Sequence, residues 1–214
     1  MAPTVEEQLK HIAKELHETI LKPQGFRKRA YNFEKKLEQL SWMLNFQKNK
    51  WNTSDRCEFT VNCGIYVPGV RSFLDENWPE PQNPSTYDSL FHARLARLAG
   101  EEDKWWTVRA KLFSSSADKK VLLDIAERIR RDALPFFESL RTLEDVISFM
   151  RDTPERYSRV WVAAEEGRLR FCAILLRLSG RKDESLAAAR EAARLVAGTR
   201  SEESFTAVLR RLEQ

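Results

Sequence analysis

The sequence predicts an α+β protein: an N-terminal helix and an antiparallel sheet of about four to five strands, followed by an all-helical C-terminal half. Three observations carry this. Apolar and polar residues alternate through Leu40–Gln47 and again through Cys57–Val67, the period-two signature of half-buried strands. A helical-period apolar stripe begins at Val5. Beyond Ser114-Ser115-Ser116 every segment carries helical spacing. The expected domains are 1–113, built on the sheet, and 117–214, a helical bundle.

Thr4 opens a capping box with Glu7, and Val5, Leu9, Ile12, Ala13, Leu16 and Ile20 follow at helical spacing. A helix should therefore run from Val5 to Leu21, where Pro23 and Gly25 stop it. Phe26–Glu34 reads as the first strand, with Arg27 and Arg29 on one side and Phe26 and Ala30 on the other. In the next strand Leu40, Trp42, Leu44 and Phe46 face inward against Ser41, Asn45 and Gln47, and Met43 alone breaks the alternation. After the polar connection Lys48–Arg56, the residues Cys57, Phe59, Val61, Cys63, Ile65 and Val67 oppose Glu58, Thr60, Asn62, Gly64 and Tyr66. These two runs form an antiparallel hairpin, and with the first strand a three-stranded meander.

The residues Gly25-Phe26, Phe33, Asn45-Phe46-Gln47-Lys48, Lys50-Trp51, Val61-Asn62-Cys63-Gly64 and Trp105-Trp106 occur in this order along the first half of the chain. As a set they make it resemble the bacterial domain-of-unknown-function family numbered 4304. The resemblance implies a shared fold and carries over no activity.

Pro68–Pro84 holds four prolines and no period and is expected to be a long loop, in which Phe73 and Trp78 either pack it down, the favoured reading, or form part of a binding lip. Tyr87–Ala99 fits helix and strand equally by spacing. Comparison with the family motif favours a fourth strand at Ala93–Leu98, and Gly100 with Glu101–Lys104 then turns the chain into a fifth strand, Trp105–Phe113. The helical half follows. Ser116 caps Ala117–Leu134, Pro135 ends or kinks that helix, and Thr142 caps Leu143–Arg151. Thr153-Pro154-Glu155 starts Arg156–Glu165; Arg168–Ser179 closes on Gly180; Asp183 caps Glu184–Val196, which closes before Gly198; Glu202–Leu212 is last. Short loops between these segments imply antiparallel helix neighbours.

With 42% hydrophobic and 32% charged residues over 214 positions, the chain has the composition of a globular protein with a real core. Nothing approaches the roughly 18 consecutive apolar residues of a membrane helix, and Thr4-Val5-Glu6-Glu7 is acidic where a secretory signal is basic. The expectation is a cytoplasmic protein with no membrane partner. Cys57 and Cys63 lie on one strand face about 20 Å apart by strand rise, beyond disulfide reach, so all three cysteines should be reduced. His11 and His17, six residues apart on one helix, share no face for a metal.

No phosphate-binding loop, dinucleotide fingerprint, zinc pattern or nucleophile elbow occurs, so no catalytic residue, metal or cofactor is assigned. Acidic groups such as Glu101-Glu102-Asp103 read as solvated turns. The constellation that stands out is an uncharged polar face: Asn45, Gln47, Thr60, Asn62 and Tyr66 on one side of two paired strands, with Lys48, Trp51 and Arg94 at its edge. Amides offer a donor and an acceptor each, which suits recognition of a polar ligand. The face is either wet and available for binding or covered by the C-terminal helices. The favoured function is a non-catalytic binding or interaction module, with a protein as the candidate partner. The alternative acts on nucleic acid through the basic stretch Lys22–Lys50, where eight Lys and Arg face only Glu34 and Glu38.

Overall fold

In the computed structural model, which describes residues 3–110, 116–152 and 164–214, Thr4 caps helix α1 (Val5–Leu16) as the sequence predicts. Its hydroxyl accepts from the Glu7 backbone N–H at 3.2 Å, and the Glu7 carboxylate accepts from the Thr4 N–H at 2.8 Å. The helix continues as a π-helical turn, His17–Leu21, so it reaches the predicted end. Gly25, at φ 87°, then reverses the chain.

Six strands follow: β1 (Arg27–Arg29), β2 (Asn32–Lys36), β3 (Ser41–Lys48), β4 (Arg56–Tyr66), β5 (Phe91–Arg94) and β6 (Trp106–Arg109). All pairings are antiparallel, in the order β1-β2-β3-β4-β5, with β6 also on β4. Phe59 pairs with Lys48 on one side and Trp106 on the other, while Asn62 pairs with Asn45 and Arg94. β5 and β6 therefore share the second edge of β4 end to end.

Several expected boundaries move. Phe26–Glu34 is two strands rather than one, because Ala30 takes a left-handed conformation (φ 52°) and Arg29 pairs with Asn32 across the Ala30-Tyr31 turn. The meander thus has four strands. Such a turn normally announces itself with Asn or Gly, and Ala gives no signal. The expected strand at Ala93–Leu98 lies instead at Phe91–Arg94, and Leu95–Leu98 is one helical turn, α3. Leu95, Ala96 and Leu98 are all buried there, at helical rather than alternating spacing. The last strand is confined to Trp106–Arg109; the remainder of Trp105–Phe113 beyond residue 110 lies outside the described residues. Pro68–Pro84 is not wholly loop, since Val70–Leu74 forms a short helix, α2.

Contacts divide the chain into two units. The first comprises 1–37, 41–66 and 84–139. It includes α4 (Ser116–Arg128), a π-helical turn (Ile129–Ala133) and α5 (Leu134–Glu138), so these helices group with the sheet, whereas the sequence reading places 117 onward in a separate bundle. Their attachment is aromatic. Trp42 stacks on Phe137 at 5.4 Å and 12° between planes, the Phe26 ring lies 5.9 Å from Phe137, and Phe91 meets Phe136 edge-on at 6.3 Å. Each such fully buried side chain contributes roughly 1.5–3 kcal/mol. Trp106 also donates from Nε1 to Asp124 on α4 at 2.6 Å. Pro135, which has no N–H to give to a carbonyl of the preceding turn, is accommodated by the π-helical widening just before it rather than by a helix end.

The second unit comprises 38–40, 67–83 and 140–214 and contains α2, α6 (Leu143–Arg151), α7 (Glu165–Leu178), α8 (Lys182–Leu195) and α9 (Glu202–Glu213). Thr142 caps α6 with a full capping box. Ala189 and Ala192 are buried on α8, and the buried Ser185 hydroxyl donates to the Ala173 carbonyl of α7 at 2.7 Å, so small residues let these two helices approach closely. Arg211 on α9 donates from Nη1 to the carbonyls of Phe73 and Leu74, both at 3.1 Å, closing the C-terminal end of α2. Asp183 does not cap α8. Arg181 occupies that position, and Asp183 lies in the first turn, where its charge still favours the helix N-terminus. The predicted start at Thr153-Pro154-Glu155 and the body of Arg156–Glu165 lie outside the described residues.

Candidate functional site

Antiparallel pairing carries one side-chain row across five strands of the first unit. Arg29 pairs with Asn32, Asn32 with Asn45, Asn45 with Asn62, and Asn62 with Arg94. Directly paired residues project to the same face, so these five polar side chains share one side of the sheet. Gln47 and Thr60 form the next paired row.

The row is joined by hydrogen bonds. Arg94 Nη1 donates to Gln47 Oε1 at 2.8 Å and to Asn62 Oδ1 at 2.9 Å. Asn62 Nδ2 in turn donates to Asn45 Oδ1 and to Gln47 Oε1, both at 3.0 Å. A guanidinium has donors only. Arg94 therefore dictates that the oxygens of Gln47 and Asn62 face it, and this fixes the direction of every amide behind it. Asp103 lies 3.6 Å from Arg94 Nε and accepts from Trp105 Nε1 at 3.3 Å, while the guanidinium sits 5.3 Å from the centre of the Trp105 ring.

Burial is graded along the network. Asn62 and Thr60 are each 1% exposed and Asn45 7%, whereas Gln47 and Arg94 are half-buried and Trp105 is exposed at 37%. The Asn45 and Asn62 amides thus support the site from inside. Arg94 Nη2 and Gln47 Nε2 make no hydrogen bond among the described residues. Two buried oxygens on the same face, Thr60 Oγ1 and Asn32 Oδ1, also have no partner there. Buried polar atoms are normally satisfied, so such groups ask for a water or a ligand.

The remaining expected site residues scatter. Tyr66 is buried at the far end of β4, paired with Ser41. Lys48 projects to the opposite face, where it donates to Glu6 at 3.1 Å and lies 5.3 Å from the Tyr31 ring centre. Burial opposes ionisation of Glu6, but hydrogen bonds from Tyr31 and Lys48 outweigh it and hold the carboxyl below its usual range. Burial, and then the Glu6 carboxylate, push the Tyr31 phenol upward. Glu6 and Lys48 line a cleft of about 510 Å³ with Thr4, Asn49 and Asn52. Trp51 stands out in the β3–β4 connection, 77% exposed with Lys50 over its ring.

Sequence reasoning missed Asp103 and Trp105, which it assigned to a solvated turn and a plain strand. It also missed Ser89, whose hydroxyl would lie 2.6 Å from a Cβ added to Gly64. Glycine at position 64 is thus a close-approach requirement, a signal present in the sequence but silent about its cause.

A family model described as a domain of unknown function (DUF4304) matches residues 17–139. The chain belongs to this family. The DUF4304 match ends where the first unit ends, at Ser139, and encloses the whole polar row from Arg29 to Arg94. No curated protein matches the chain, and no solved structure does.

Proposed function

We propose that this DUF4304 chain is a non-catalytic binding module that recognises a protein partner at the Arg94 end of its polar sheet face. The observation that carries the reading is the directional amide network ending in unused donors on Arg94 and Gln47. Amides and guanidinium groups neither give nor take a proton near neutral pH, so a row of them holds a partner in place rather than performing acid–base chemistry. Arg and Trp, the pair at the surface, are also the side chains most enriched at binding hot spots. Asn45 and Asn62 serve this reading as support, not as contacts. A cytoplasmic location goes with it, since Cys57, Cys63 and Cys172 are all free and buried.

A second reading rests on a separate observation. All three residues of the edge strand β1, Arg27-Lys28-Arg29, are exposed, as a nucleic-acid backbone contact would require and as a charge-defended sheet edge would also be. Isotope-labelled protein screened against short peptides and oligonucleotides separates the two. Saturable NMR shifts at Gln47, Arg94 and the Trp105 indole with peptides support the module; binding at β1 that falls steeply with salt supports nucleic acid; an absence of shifts at the polar face with every probe overturns the first reading.

A further inference from the structure

Resting on that reading, we infer that the Arg94–Gln47–Trp105 edge binds a side-chain carboxylate, an Asp or Glu of the protein partner. Gln47 Oε1 is occupied twice, by Arg94 Nη1 at 2.8 Å and Asn62 Nδ2 at 3.0 Å. Its Nε2 donors are therefore turned away from the network and cannot exchange places with the oxygen, because a flip would set Nε2 against two donors. Arg94 likewise spends Nη1 inside and keeps Nη2 unbonded among the described residues. The site thus offers one cationic and one neutral donor group and no free acceptor from these two residues. That inventory selects an acceptor-only ligand.

Charge narrows the class. Asp103, 3.6 Å from Arg94 Nε, already offsets part of the single positive charge, so a singly charged carboxylate is favoured over a doubly charged phosphate. The Trp105 ring, 37% exposed beside the guanidinium, offers an apolar wall for the methylene stem of an acidic residue.

The test uses the full chain, labelled with nitrogen-15, and four probes: a Glu-containing peptide blocked at both ends, the same peptide with Gln for Glu, the Gln peptide with a free C-terminus, and inorganic phosphate. Saturable shifts of the Gln47 side-chain amide and the Trp105 indole with the blocked Glu peptide, and none with the blocked Gln peptide, are expected. Gln47→Glu keeps an acceptor for Arg94 and Asn62 but replaces the free donor with a negative oxygen. It should keep a near-normal melting temperature and weaken the Glu peptide by tenfold or more, the range of one charge-assisted hydrogen bond. Trp105→Leu should weaken it severalfold, which keeps the test open if the first variant unfolds. Equal binding of Glu and Gln peptides, or preference for the free C-terminus or for phosphate, overturns the carboxylate assignment while leaving the binding face. No shift at this face with any probe overturns both.

Discussion

The 2.9 Å hydrogen bond from Arg94 Nη1 to Asn62 Oδ1 joins two directly paired positions on β5 and β4. It ties a half-exposed cation to an amide only 1% exposed, so the edge of the face and its buried centre act as one network. Asn62→Ala would leave donors and acceptors on Arg94, Asn45 and Gln47 unmatched. The expected loss is about 1–3 kcal/mol by chemical denaturation, with a similar loss for Asn45→Ala. On the wet alternative left open by the sequence, these amides would face solvent and be cheap to remove. Near-normal stability of both variants would show that the network is not buried as described.

Trp42 is fully buried and stacked on Phe137, whereas Trp51 is 77% exposed. Trp42→Ala should cost about 3–5 kcal/mol and Trp51→Ala far less than 1. Equal losses in urea unfolding would mean that the register of β3 is displaced by one residue.

All three thiols should react slowly with a disulfide reagent in the native state. Burial pushes the Cys63 thiol up, with Asp132 adding to it, and raises Cys57 despite the Lys48 charge; burial takes Cys172 up to about 11. A fast-reacting thiol at pH 8 would contradict this, because the thiolate is the reactive form.

Burial works against the Asp124 carboxylate, but hydrogen bonds from Lys104, Trp106 and Arg128 outweigh it and hold its pKa below the ordinary value. A lowered folded-state pKa contributes stability above the unfolded pKa, and that contribution fades as pH falls through the folded value. Asp124→Asn should therefore be less stable than wild type at pH 7, with the gap closing below about pH 4. A gap independent of pH would remove the charge from the account.

Ala30 at φ 52° sits where a side chain costs about 1 kcal/mol per residue. Ala30→Gly should range from neutral to about 1 kcal/mol more stable, the larger backbone freedom of unfolded glycine offsetting part of the gain. Ala30→Val should be less stable than wild type. The reverse order in thermal melts would argue against the two-residue β1–β2 turn.

The sequence by itself determined what local physics controls: the α1 capping box, the β3–β4 hairpin and its inward face, and the Thr142 cap. Each depends on neighbours within a few residues or on period-two alternation. It also identified Asn45, Gln47, Asn62 and Arg94 as polar groups of one neighbourhood. Tertiary structure alone decided the rest. Lys48 turns to Glu6 because one step along a strand reverses the face. Helices α4 and α5 join the sheet because Phe137 finds Trp42, 95 positions away in sequence. The amides acquire directions only when Arg94 arrives from β5, 32 residues beyond Asn62, with donors and no acceptors. Long-range pairing of this kind leaves no periodic trace in the chain, which is why the polar face and the place of Arg94 at its edge were legible in the sequence and the direction of their hydrogen bonds was legible only in space.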